Sequence, residues 1–173
     1  MKLKFIRRAN QADLTEIMRI INDCKQMLKN AGSSQWQNGY PDEDIILADI
    51  NANYGWVLVA DGKTAGYLAA CPGIEPTYQE IDGEWSNNTD PYVTIHRLAI
   101  HSDFRGQHLS SLFLSNMTSV MYETGERNFR IDTGRKNIIM QKLVQGLGFE
   151  QKGFIKFPND IQDPIRLAYE LNL

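Results

Sequence analysis

Arg105-Gly106-Gln107-His108-Leu109-Ser110-Ser111 stands between an apolar stretch, Leu98-Ala99-Ile100, and a run in which Leu109, Leu112, Phe113, Met117 and Val120 recur at three- and four-residue spacing. The first reads as a buried strand and the second as an amphipathic helix, so the basic, glycine-containing turn opens that helix. A helix N-terminus carries amide hydrogens without intrahelical acceptors and about half a positive charge. With Arg105 beside it, such a turn suits a phosphate or pyrophosphate. The same residues also make an ordinary strand-turn-helix with a solvated arginine. All three histidines, His96, His101 and His108, lie close to this turn in sequence. Strand parity puts His96, Leu98 and Ile100 on one face and Arg97, Ala99 and His101 on the other. His96 and His101 are therefore not expected to share an ion, their spacing matches no zinc pattern, and no metal is expected.

The elements that must position these residues follow from pattern. Residues 4–8 read as a strand, and Asn10 with Asp13 forms a capping-box start to a helix lined by Leu14, Ile17, Ile21, Cys24 and Leu28 and ended by Gly32. A loop carrying Trp36 and Tyr40 comes next, either a substrate wall or aromatics that pin the loop to the core, then a short helix over 42–51. Asp61-Gly62 predicts a hairpin between strands 56–60 and 64–70. Residues 72–90 form a long polar insertion, expected to be a mobile lid or plain surface. A strand at 92–101, the helix at 108–124, a strand at 128–132, a helix at 137–146 and strands near 150–156 and 166–172 complete the reading. Hairpins early and strand-helix-strand units late give an α/β fold with a mixed sheet.

With 173 residues, the chain 1–173 suits one domain. Its 42% hydrophobic and 23% charged residues are those of a soluble globular protein. No apolar run approaches a membrane span and no secretory leader follows Met1, while Cys24 and Cys71 read as reduced, packed thiols. A cytoplasmic protein without membrane association is expected. A net charge of -3 leaves no basic footprint for nucleic acid. Small molecules or a basic substrate are the expected partners, and a homodimer is compatible with the sequence.

The stretches Leu98-Ala99-Ile100 and Arg105 to Ser110, then Phe129-Arg130-Ile131-Asp132, Asn137 and Leu147-Gly148-Phe149, follow in a set order across 93–150. This segment resembles the acyl-CoA-binding half of the GNAT superfamily of N-acetyltransferases, and Phe5-Ile6-Arg7-Arg8-Ala9 is similar to the family's opening strand. The resemblance implies a mixed, mostly antiparallel central sheet flanked by helices, with splayed central strands that admit the pantetheine arm. It implies acetyl-CoA as acyl donor. Backbone groups of Leu98, Ala99 and Ile100 would hold the pantetheine and acetyl carbonyl, amides from Gly106 to Ser111 the pyrophosphate, and Asn137 would cap its helix or contact the pantetheine. Two departures stand out: His108 and Ser110 occupy positions where the family prefers glycine, or glycine and alanine.

Acetyl transfer requires a neutral amine, and at pH 7 an amine of pKa about 10.4 must give up a proton at a cost of about 4.6 kcal/mol. Asp132, where some relatives keep a catalytic glutamate, is the first choice of base, although an Asp at a strand end also serves as a cap. His96 is the second, although a histidine there is also a core hydrogen-bonding residue. Glu75, Glu80 and Glu84 in the insertion are further acids among which the sequence does not choose. Where many family members carry a tyrosine acid, Leu143 is followed here by Val144; either Tyr92 or water takes that part, or general acid catalysis is dispensable. The leading expectation is direct transfer of acetyl to a primary amine, of a small molecule or of a peptide or protein, in a ternary complex. Its acceptor would lie near Trp36 and Tyr40. A non-catalytic acyl-CoA-binding or sensing module is the alternative, and a nucleotide enzyme is disfavoured because Gly-Lys-Ser/Thr is absent.

Overall fold

A computed structural model describes residues 3–173. β1 (Lys4–Arg8) leads to Asn10, which closes the expected capping box with Asp13 ahead of α1 (Leu14–Asn30). After α2 (Glu43–Asn51) come β2 (Gly55–Ala60) and β3 (Lys63–Pro72), joined at Asp61-Gly62, where both residues take positive φ as a tight hairpin requires. β4 (Ile81–Gly83), β5 (Val93–Ile100), α3 (Leu109–Glu123), β6 (Asn128–Gly134), α4 (Ile138–Gly146), β7 (Glu150–Lys156) and β8 (Ile165–Asn172) follow.

All the strands form one sheet of order β1-β2-β3-β5-β6-β8-β7-β4. Every neighbouring pair is antiparallel except β5 and β6, so the sheet is mixed, as the pattern predicts, and mostly antiparallel, as the resemblance implies. Ile17, Ile20 and Ile21 of α1 and Ile46 of α2 cover one face, against Val57, Val59 and Tyr67. Phe113, Leu114 and Met117 of α3 and Val144 of α4 cover the other, against Leu58, Leu68, Ile95 and Ile131. Among the described residues no helix is long and apolar enough to cross a membrane.

The 72–90 insertion is neither a free lid nor plain surface. It contains a 3-10 turn at Pro76–Tyr78 and β4, and it buries Tyr78 and Trp85 with Tyr92, Ile155 and Ala168 in a core of their own. Arg130 is sandwiched between Trp85 and Tyr92, its guanidinium carbon 4.1 and 4.0 Å from their centroids, and bonds the buried Glu170 at 3.2 Å. These contacts link residues far apart in sequence, which is why local polarity alone reads as a loop.

The insertion is fastened by β4 against β7, where Gly83 faces Gly153. A Cβ on Gly153 would lie 2.2 Å from the Asp82 carbonyl oxygen, an approach the backbone can relieve only by separating the strands. Gly153→Ala is expected to lower the free energy of unfolding by at least about 2 kcal/mol and to raise deuterium uptake across 81–85. Urea denaturation and hydrogen exchange check this, and an unchanged midpoint with unchanged uptake contradicts it.

Candidate functional site

Residues on β5 decide the shape of the site. Between the pairs Tyr67↔Ala99 and Ala69↔His96, β3 advances two residues while β5 advances three, so β5 carries a bulge in which Arg97 takes φ +58°. An extra residue reverses the inside-outside alternation beyond it. The parity expected from sequence is therefore corrected: Leu98 and Ile100 pack on the α3 side with Ile95, and Ala99 packs on the α1 side. His96 falls on the face opposite Leu98 and Ile100, not with them.

The bulge is held by a buried ion pair. Arg97 donates from Nε to Asp49 Oδ2 at 2.8 Å and from Nη2 to Asp49 Oδ1 at 2.6 Å, while Nη1 reaches the Tyr40 hydroxyl at 2.7 Å. Tyr67 donates a further bond to Asp49 at 2.7 Å. A two-pronged carboxylate contact fixes the guanidinium plane, and with it the path of residues 96–99. No sequence pattern announces this pair, because Asp49 sits on α2 and reads simply as a polar helical residue.

Past the bulge the sheet opens. β5 and β6 pair in parallel only at Val93↔Phe129 and Thr94↔Arg130, after which the strands part. A cavity of about 690 Å³ occupies the gap and continues on both sides of it. On one side it reaches Arg105, Gly106, His108, Leu109, Ser110 and Asn137; on the other, Trp36, Tyr40, Asp49, Glu75, His96 and Asp132. Leu98, Ala99 and Ile100 line the stretch between. Gln107 and Ser111 belong to the same turn without lining the cavity.

The turn has the donors that the sequence predicts. Phe104 and Arg105 spend their amides on His101 and Ser102 carbonyls, and Leu112 bonds His108. Among the described residues the amides of Gly106 through Ser111 donate to no protein acceptor. Gly106 takes φ +76° and His108, the residue before α3, φ +55°. A left-handed conformation costs a non-glycine residue about 1–2 kcal/mol, the physical reason a glycine would be comfortable at 108. Asn137 caps α4, its Oδ1 accepting from the Met140 amide at 3.3 Å, and its Nδ2 lies 3.5 Å from Gln35 Oε1.

Two acids from outside the turn complete the other side. Asp132 lies within β6, not at a strand end as a cap, and accepts from the Tyr78 hydroxyl at 2.8 Å. Burial lifts its carboxyl above the ordinary carboxylate range, against the downward pull of His96, the Tyr78 bond and Arg166. Glu75 Oε1 accepts from the Thr77 hydroxyl at 2.9 Å, leaving Oε2 3.1 Å from His96 Nε2. The His96 bond is the main cause that holds the Glu75 carboxyl down at about 2. So the insertion supplies a partner to each of the two base candidates. Glu80 and Glu84 are exposed, and the Tyr92 hydroxyl oxygen accepts from the Glu75 amide at 2.9 Å.

Trp36 and Tyr40 satisfy both readings of their loop: each lines the cavity, while Trp36 packs on the α1-side core and Tyr40 meets Phe157 in a tilted ring contact with centroids 6.0 Å apart. Ser34 donates to Asp160 at 2.9 Å and Asn38 to the Asn159 carbonyl, so this loop and the one before β8 close one wall. Asp160 is itself paired with Arg166 at 2.6 Å. Thr133, buried on β6 and lining the cavity, has a hydroxyl without a protein partner among the described residues. Burial pushes the Cys71 thiol up to about 11, which leaves it a poor nucleophile at neutral pH. Among the described residues no group of three His, Cys, Asp or Glu side chains is placed to hold a metal ion.

The Acetyltransferase (GNAT) family profile matches residues 14–149. A GNAT-family acetyltransferase of Streptococcus agalactiae is 34% identical, with 98% of this chain and 95% of that one covered and a TM-score of 0.88. A GNAT-family acetyltransferase of Listeria monocytogenes shares the fold at 19% identity, with full coverage of both chains (100% each) and a TM-score of 0.75. PaiA N-acetyltransferase of Thermoplasma acidophilum, solved in complex with coenzyme A, shares it at 15% identity, with 99% of each chain covered and a TM-score of 0.70. No curated protein sequence matches this chain.

Because folding lowers the Glu75 carboxyl to about 2 from its ordinary 4.5, its bond to His96 stabilises the fold above that ordinary value and is lost as pH falls through about 2. The stability difference between the wild type and Glu75→Gln is expected to narrow by roughly 1–3 kcal/mol between about pH 5 and pH 2. Paired urea titrations across that window check it; a difference that stays constant contradicts it.

Proposed function

The chain belongs to the acetyltransferase (GNAT) family, and from that membership and the shape of its cavity we propose that it transfers acetyl from acetyl-CoA to a primary amine by direct attack in a ternary complex. The observation that carries this reading is one continuous cavity, running from a turn of unspent amides, through the gap between β5 and β6, to Asp132 and His96. Acetyl-CoA supplies the activated acyl group; the residues bind, align and deprotonate.

Amides from Gly106 to Ser111, at the positive end of α3 and beside Arg105, suit the pyrophosphate. Along β5, His101 donates to Ala65 at 2.9 Å, so the alternation of an antiparallel ladder turns Ala99 toward β3 and the N–H groups of Leu98 and Ile100 toward the gap. These N–H groups are fixed donors for the pantetheine amides and for the acetyl carbonyl, whose oxygen gains charge during attack. Asn137 stands where its side chain can touch the same arm. Trp36 and Tyr40 wall the acceptor side.

Asp132 is the first group to take the amine proton. Burial has moved its carboxyl toward the working pH, which increases its strength as a base. His96 is the second: with the proton of a neutral imidazole on Nε2 and donated to Glu75, the lone pair is left on Nδ1. Val144 is fully buried in the core behind α3. A thiolate with a parent pKa near 8.5 leaves close to neutrality with little acid assistance, so a tyrosine at 144 is dispensable.

Release of coenzyme A thiol from acetyl-CoA in the presence of a primary amine tests the reading. Asp132→Asn is expected to lower kcat/KM by about 100-fold or more while leaving acetyl-CoA affinity within about threefold. Tyr78→Phe removes a bond to the ionised carboxylate, so the Asp132 pKa rises and the acidic limb of kcat/KM moves to higher pH, by about one unit. A limb that stays in place excludes Asp132 as the base. Tight acetyl-CoA binding with no thiol release by any amine would overturn transfer and identify a binding module.

A further inference from the structure

The charges on the acceptor side of the cavity select among amines. Four carboxylates line it, Asp49, Glu75, Asp132 and Asp160, against two guanidiniums, Arg97 and Arg166, an excess of two carboxylates over guanidiniums. Both guanidiniums are already spent. Arg97 and Asp49 lie 2.6 Å apart with side chains 8% and 9% exposed, and Arg166 and Asp160 lie 2.6 Å apart with side chains 4% and 7% exposed. Each arginine is also tied to a second acceptor, Arg97 to the Tyr40 hydroxyl and Arg166 to the Asp163 carbonyl. Among the described residues, an acceptor carrying its own carboxylate or phosphate would find no free guanidinium or ammonium on this side of the cavity. It would have to break a buried pair and leave a charge uncompensated.

A positive group meets the opposite situation. Among the described residues no arginine or lysine bonds Glu75 or Asp132; Glu75 meets His96 and Thr77, and Asp132 meets Tyr78. Around them the wall is aromatic, with Trp36, Tyr40, Tyr54 and Phe157. Ring faces and carboxylates together favour an ammonium that has left bulk water. The bridges from Ser34 to Asp160 and from Asn38 to Asn159 join two loops into one wall of the cavity, and an acceptor that must reach Asp132 between the strands is better a small flexible one than a folded protein.

We propose that the acceptor is a small linear diamine or polyamine, bearing positive charge beyond the reacting amine and no acid group. This rests on the acetyl-transfer reading above and adds the charge class of the substrate to it.

Three amines of equal chain length separate the cases: 1,4-diaminobutane, n-butylamine and 4-aminobutanoate, whose far ends are positive, neutral and negative. Two readouts are taken, thiol release with acetyl-CoA and calorimetric binding to the protein saturated with coenzyme A. The diamine is expected to exceed the amino acid by at least about tenfold in kcat/KM and in affinity, with butylamine between, and the ratio is expected to fall as salt rises. Turnover of 4-aminobutanoate as efficient as that of the diamine, or no binding of the diamine, overturns the charge class while acetyl transfer stands or falls on thiol release. Binding in the expected order with no thiol release leaves the charge preference in place and defeats transfer. Glu75→Gln is expected to reduce the diamine-to-butylamine affinity ratio; a ratio unaffected by it counts against the role given to these carboxylates.

Discussion

Two residue pairs, Val93 with Phe129 and Thr94 with Arg130, are all that joins β5 to β6, and the brevity of that ladder is what every later feature of the site depends on. A sheet that continued to zip would satisfy its own backbone and leave no room between strands. Here the backbone of β5 departs at a bulge, and the departure is fixed by Arg97, a non-glycine residue at φ +58° whose guanidinium is clamped by Asp49. The left-handed conformation costs about 1–2 kcal/mol, whereas removing one partner of a buried pair costs about 3–5 kcal/mol. The pair therefore determines where the strand goes, whatever its net contribution to stability. One consequence is a cavity; another is a set of strand N–H groups facing it with no neighbouring strand to bond.

The insertion between β3 and β5 acts on the same space from the far edge. β4 pairs with β7, Trp85 and Tyr92 flank Arg130, and Tyr78 packs with them and Ala168, so the segment is packed as core. From that anchorage Glu75 reaches His96 and Tyr78 reaches Asp132. Both bonds orient a group that is able to accept a proton. In the proposed reaction the polar stretch is thus part of the frame of the site, and its own stability sets how well the two candidate bases are aimed.

The local features of this architecture were legible in the sequence, and the long-range ones were not. Helix periodicity, the Asn10 and Asp13 box, the Asp61-Gly62 turn and the Arg105-to-Ser111 turn are each decided by neighbours within a few residues, and each is present. Period-two alternation carries no trace of an inserted residue, which is why His96 was expected beside Leu98 and stands opposite it. Arg97 and Asp49 are separated by 48 positions, Tyr78 and Asp132 by 54. Their pairing is a property of topology. Glu75 is set apart from Glu80 and Glu84 by the Pro76-Thr77 that follows it, and the Thr77 hydroxyl fixes one carboxylate oxygen and frees the other. That signal was present, but its use depended on a histidine 21 residues away.

In the proposed function main-chain amides, not side chains, hold the acyl donor, at the start of α3 and along the open edge of β5. Assigned amide spectra of isotopically labelled protein, recorded as coenzyme A is added, test it most directly. The account predicts that the resonances of Gly106 through Ser111, together with Leu98 and Ile100, shift most and saturate with one affinity. Saturable binding that leaves those amides unmoved while perturbing others would contradict it.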